Sequence, residues 1–174
     1  MFSVMNKVKH NPLSQEDVHR IESAIVEAEA KTDAEIVVRV VKNSRRVPIG
    51  NGKTRRLRHA KKLDPEVRSR ARAEQEFLVL GIEHTVERHG VLVFISIEEK
   101  CVEIIADTSV GEKLNGKSTP WEAAGKSILN GFESQTPGAG IAFAVALIGE
   151  TLAENFPKTA GDTDELPNTV VQGD

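Results

Sequence analysis

Residues 90–107, Gly90 to Asp107, read GVLVFISIEEKCVEIIAD. Val91 to Ile97 is almost wholly apolar, the composition of a central strand covered on both faces. Cys101 to Ala106 continues in the same β-rich vein. Only Glu98, Glu99 and Lys100 separate the two runs, too short a link for a crossover, so they are predicted to pair as an antiparallel hairpin. Upstream, Glu35 to Val41 (EIVVRVV) is short and β-branched and reads as another strand. A helical segment lies between it and Val91, so these two strands should run parallel through a right-handed crossover. The second hairpin strand then runs opposite to both. Its end at Asp107 falls on the same sheet edge as Asp33 and Glu35.

The helices announce themselves through their starts. Leu13-Ser14-Gln15-Glu16-Asp17-Val18 carries a capping serine, an acid at the reciprocal position and a Leu13/Val18 staple, opening a helix expected to run to about Lys31. Asp64-Pro65-Glu66 opens a second, with Val67, Ala73, Phe77 and Leu80 as its expected buried stripe and Arg68, Arg70 and Arg72 off it. Glu74 is expected to pair with Arg70. Thr119-Pro120 and Thr136-Pro137 start two more helices, the last apolar on most sides and expected to be the most buried.

The chain of 174 residues fits one domain. The expected division is an N-terminal arm over 1–12, an α/β domain over 13–157 and a disordered acidic tail over 158–174. Cys101 is the only cysteine, which excludes an intrachain disulfide, and it reads as a core residue. No signal-like run opens the chain and no uninterrupted apolar run is long enough for a membrane span, so a soluble, cytoplasmic protein without a transmembrane segment is expected. The net charge of -3 conceals an asymmetry: residues 42–72 hold twelve Lys/Arg against Asp64 and Glu66. Much of that charge lies in 43–62, read as a loop insertion from Pro48, Gly50 and Gly52. Arg55, Arg56, Arg58, Lys61 and Lys62 form its anion-binding candidate, suited to nucleic acid or another polyanionic partner.

Gly111 to Ser118 (GEKLNGKS) matches the P-loop pattern. In a P-loop the helix starts at the lysine, so that its first N–H groups and the ammonium converge on phosphate. Here the helix signal begins at Thr119, and no downstream strand ends in an acid for Mg²⁺. GEKLNGKS therefore reads as a polar loop with a chance match, and no nucleotide is expected. The five histidines (10, 19, 59, 84 and 89) show no metal-ligand spacing, and His84 and His89 read as surface or packing residues. The better candidate is Asp107 with Glu35 and Asp33, an oxygen-only set suited to Ca²⁺ or Mg²⁺. The alternative is that Asp107 caps the segment after its strand and Glu35 is a solvated edge residue.

Several runs together resemble the TPM domain family, named after thylakoid-lumen, photosystem II repair and nematode receptor-modulating proteins. They are Ala34 to Val38, Ala73-Glu74 with Phe77, Leu80-Gly81-Ile82 and Thr85, Gly90 to Ser96, Val102 to Asp107, and the downstream ALIGETLAENFP. The resemblance implies a Rossmann-like three-layer α/β/α sandwich with a small mixed sheet. It also implies the weak acid phosphatase activity and divalent-metal binding, particularly of Ca²⁺, reported for some members. Two features depart from the family pattern: Asp107-Thr108-Ser109-Val110-Gly111 stands where many relatives carry a glycine-rich turn, and the basic insertion from Arg45 to Lys62 is unusual.

Overall fold

The computed structural model describes residues 13–48, 54–56, 63–114, 119–161 and 165–173. Its elements are α1 (Gln15–Glu29), β1 (Ile36–Val41), β2 (Arg46–Pro48), β3 (Thr54–Arg56), α2 (Pro65–Val79), a 3₁₀ turn (Ile82–His84), β4 (Val91–Ser96), β5 (Cys101–Ala106), α3 (Thr108–Lys113), α4 (Thr119–Glu133), α5 (Pro137–Asn155) and β6 (Val171–Gln172). The main sheet has the order β5-β4-β1-β6. β1 and β4 pair in parallel and β4 and β5 antiparallel, as the short link and the intervening helix require. β2 and β3 make a small hairpin within the insertion.

Period-two alternation sorts the sheet into two faces. Ile36, Val38, Val40, Val93 and Ile95 join the larger core with Ile21, Ile25, Ile128, Ile141, Val145 and Ile148, beneath a layer of α1, α5 and α4. Val37, Val41, Leu92 and Phe94 face the other way, onto Ala73, Phe77 and Ile82 of α2 and the 3₁₀ turn. The result is three layers around a mixed sheet.

The α1 capping box forms as expected: Asp17 N–H donates to Ser14 Oγ at 3.1 Å, and Ser14 N–H donates back to Asp17 Oδ2 at 2.9 Å. Asp17 also accepts from Gly138 N–H at 3.2 Å, so the same carboxylate seats the start of α5. α5 is long and apolar enough to cross a membrane by length and composition. In the fold it is the middle helix of its layer, with Ile141, Ala144, Val145, Ile148 and Leu152 fully buried in protein.

Three expectations need correction. On α2, Val67 is exposed, whereas Arg68 and Arg72 are buried. Arg72 donates to Glu76 Oε1 through Nε and Nη2 at 2.9 and 2.7 Å, and Arg68 Nη2 donates to Glu99 Oε1 at 2.8 Å. Each guanidinium goes inside because an acid and backbone or hydroxyl oxygens meet it there. The second correction concerns Gly111 to Lys113. These residues belong to α3, so the first glycine of GEKLNGKS is helical and does not form a phosphate-wrapping loop; residues 115–118 lie outside the described ones.

The third concerns the tail. Far from being disordered, residues 165–173 run along the free edge of β1 and end in β6, which pairs with it in parallel. Leu166 packs against the α2-side core, and Pro157 bridges to Thr32. Buried contacts of this kind offset the ordering cost that the segment's polar composition alone would not.

Candidate functional site

The strand register fixes the geometry of one sheet edge. Pairing of Ile36 with Val91 and of Val91 with Ala106 sets Glu35, Gly90 and Asp107 in a row across β1, β4 and β5. Val91 N–H donates to Glu35 O and Asp107 N–H to Gly90 O, each at 2.8 Å. Glu35 and Asp107 are therefore two strand spacings apart, about 10 Å between backbones. Gly90 separates them for a steric reason: a Cβ there would stand 2.3 Å from Ile82 Cγ2 and 2.7 Å from Ile82 O.

Asp107 ends its strand and caps α3, accepting from Thr108 N–H at 2.5 Å through Oδ1. Its other oxygen, Oδ2, is buried and accepts no hydrogen bond. The nearest cation is Arg88, an exposed guanidinium with Nε 3.6 Å from Oδ2. Arg88 has a φ of 56°, and Ser109 Oγ donates to its carbonyl, which ties this loop to α3.

His89 completes the surroundings. Its ring lies 4.1 Å from that of Phe156, and its Nδ1 is buried with no hydrogen-bond partner. Burial holds its pKa below the ordinary imidazole value against the opposing pull of Glu87, Asp33 and Asp107. Lys113 Nζ sits 4.6 Å from the Phe156 ring centroid and donates to Asn155 O.

The two remaining candidates share this edge but are already engaged. Asp33 accepts from Thr159 N–H at 2.7 Å and Thr159 Oγ1 at 2.8 Å. Glu35, buried, accepts from Glu165 N–H at 2.9 Å and Leu166 N–H at 3.3 Å. Among the described residues no three His, Cys, Asp or Glu side chains converge where a metal ion could be held. Asp107 thus fits a hard cation as a single anionic donor, and Asp33 and Glu35 stand beside it rather than around it.

Of the basic candidates, Arg55 is exposed on β3, Arg56 lies in the same strand, and Arg58, Lys61 and Lys62 fall outside the described residues. A pocket of about 380 Å³ lined by Arg70, Glu103, Trp121 and Lys126 lies along the middle of β5, away from Asp107. The expected Arg70–Glu74 pair is present at 3.0 Å.

Sequence reading placed Asp107, Glu35 and Asp33 at one edge and read His89 as a surface or packing residue, as its ring contact with Phe156 bears out, but it missed Arg88 and Lys113. A signal existed: Asp107 followed by Thr108 and Ser109 is a helix start, which places Lys113 in the last turn of a short helix beside the site.

Comparison with known proteins accords with this architecture. No curated protein matches the chain. The NMR structure of the BA42 protein from the psychrophilic bacterium Bizionia argentinensis is similar, with a TM-score of 0.73 at 26% identity, covering 97% of this chain and 100% of that one. The TPM domain model matches residues 8–151, which span β1 to β5, α1 to α4 and most of α5, and stop short of β6. With the family model matching most of its length, the chain belongs to the TPM domain family.

Proposed function

We propose that this protein binds a divalent cation, Ca²⁺ or Mg²⁺, at the Asp107 edge of the sheet and releases phosphate slowly from phosphate monoesters. The observation that supports the reading is Asp107 Oδ2, an anionic oxygen that is buried and accepts no hydrogen bond. Such an atom costs stability unless something compensates it, and unsatisfied buried charge concentrates at functional sites. The TPM domain family to which the chain belongs is named for phosphatases, which supports the reaction class without establishing it. A bound divalent ion would supply charge stabilisation for the transferring phosphoryl group. The chain's own contribution is Arg88, whose exposed guanidinium beside Asp107 can meet phosphate oxygens.

The test is Asp107→Asn. Asparagine keeps the helix cap, so the fold is retained while the charge is lost. Wild type should release phosphate from an aryl phosphate in Ca²⁺ or Mg²⁺, and the variant should lose at least about 10²-fold in rate, as when a group bearing on transition-state charge is removed. Equal inertness of both proteins with every divalent ion would end the catalytic reading.

A further inference from the structure

β5 is the outermost strand of the main sheet, and among the described residues no strand pairs with its outer side. Which of its backbone groups face outward follows from the bonds that β4 makes. Val91 and Ile97 N–H donate toward β1, to Glu35 O and Val41 O, and Asp107 N–H donates to Gly90 O. Alternation then turns the N–H and C=O groups of Cys101, Glu103 and Ile105 toward β4 and those of Val102, Ile104 and Ala106 outward. The pocket of about 380 Å³ borders this row, with Arg70 and Glu103 on the α2 side and Trp121, Gly125 and Leu129 on the α4 side. Val102, Ile104 and Ala106 are only partly buried against the larger core, so apolar surface accompanies the open backbone.

This surface is complementary to itself, as a two-fold interface requires. On α4, Trp121 and Leu129 flank Gly125 symmetrically, one turn away on either side, and the exposed Glu122 and Lys126 beside them are opposite in sign. A two-fold axis near Gly125 brings Trp121 against the partner's Leu129 and Glu122 against the partner's Lys126. On β5 an axis perpendicular to the sheet pairs residues whose side chains share a face. Centred on Glu103, it sets like charges directly opposite, which is unfavourable. Centred on Ile104, it sets Ile104 against the partner's Ile104 and Val102 against the partner's Ala106, so that every outward N–H and C=O of these residues finds a mate. The two Glu103 then lie on a diagonal, each with its own Arg70 3.8 Å away. We propose that two copies of this chain associate through β5, antiparallel and centred on Ile104, continuing the sheet across a two-fold axis while the paired α4 helices close over the join. Pairing also covers an edge that would otherwise offer its backbone to other strands.

The experiment uses the full chain. Its mass is followed by sedimentation between micromolar and millimolar concentration, with amide hydrogen exchange by NMR at both ends of the range. The expected result is a rise from monomer to dimer, with protection gained at the Val102, Ile104 and Ala106 amides. The Glu103 and Ile105 amides, bonded to β4 already in the monomer, should be protected throughout. Lys126→Glu sets like charges across the axis and should weaken the dimer at least about tenfold, because like charges juxtaposed in an interface oppose it. The swap Glu122→Lys, Lys126→Glu restores opposite signs and should regain the wild-type affinity. Both side chains are exposed in the monomer, so neither change touches the core. A mass independent of concentration overturns the proposal. So does a dimer that leaves the outward amides unprotected, or one whose affinity Lys126→Glu does not change.

Discussion

Arg72→Met should cost about 3–5 kcal/mol of stability, the range measured when one partner of a buried ion pair is removed. Arg72 is fully buried; besides its two bonds to Glu76, it donates to Asn43 O at 3.3 Å. Glu76 is shared, since Arg39 Nε lies 3.2 Å from its Oε2. Methionine fills much of the volume but donates nothing, leaving Glu76 Oε1 without the two bonds it receives from Arg72. For a chain of this size the loss corresponds to a fall in Tm of roughly 6–20 °C. Urea denaturation of wild type, Arg72→Met and the triple variant Arg39→Met, Arg72→Met, Glu76→Leu checks the cause. The triple variant removes all three charges together and should recover most of the loss, because no buried charge remains uncompensated. A loss below about 1 kcal/mol in the single variant would mean that water reaches the network.

Gly140→Ala should cost about 1–3 kcal/mol or more. At the α4–α5 crossing a Cβ on Gly140 would stand 2.7 Å from Ser127 O and 2.9 Å from Gly131 Cα. Both obstacles are backbone, so no side chain can turn aside and the helices must separate. Ser127 Oγ, which donates to Gly140 O at 3.1 Å, would be lost in the process. The control lies on α4, where a Cβ on Gly125 meets nothing within 4 Å. Gly125→Ala should therefore stabilise by roughly 0.5–1 kcal/mol through helix propensity. Opposite signs for one chemical change, read from urea midpoints at constant m, would isolate the crossing as the cause.

What could be read from sequence was local. The β4–β5 hairpin follows from two apolar runs and a three-residue link, and the α1 start follows from Ser14 and Asp17. Arg68 and Arg72 were misread because charge is ordinarily a mark of exposure; their burial depends on Glu99, Ser44 and Asn43, which reach them only once α2 is docked. The spacing of Arg72 and Glu76, four residues apart, was the available clue, though it cannot distinguish a buried pair from a surface one. α3 has only six residues, too few for periodicity to show, and β6 has two. The candidate edge was legible in the same partial way. Strand direction brings Asp107 level with Glu35, but the donors that occupy Asp33 and Glu35 come from more than 120 residues away.

That distance also has a temporal meaning. Arg39 and Val171, joined across the β1–β6 edge, are separated by 132 residues of chain. At ordinary rates of synthesis, roughly 7–26 s pass between the emergence of one and of the other. Once β4 has emerged, β1 can hold it on one side while its opposite edge has nothing of its own to pair with until the C-terminal residues follow. The nascent protein thus carries an adhesive margin until translation is nearly over, and a ribosome stalled before residue 165 would leave it open to strands of neighbouring chains.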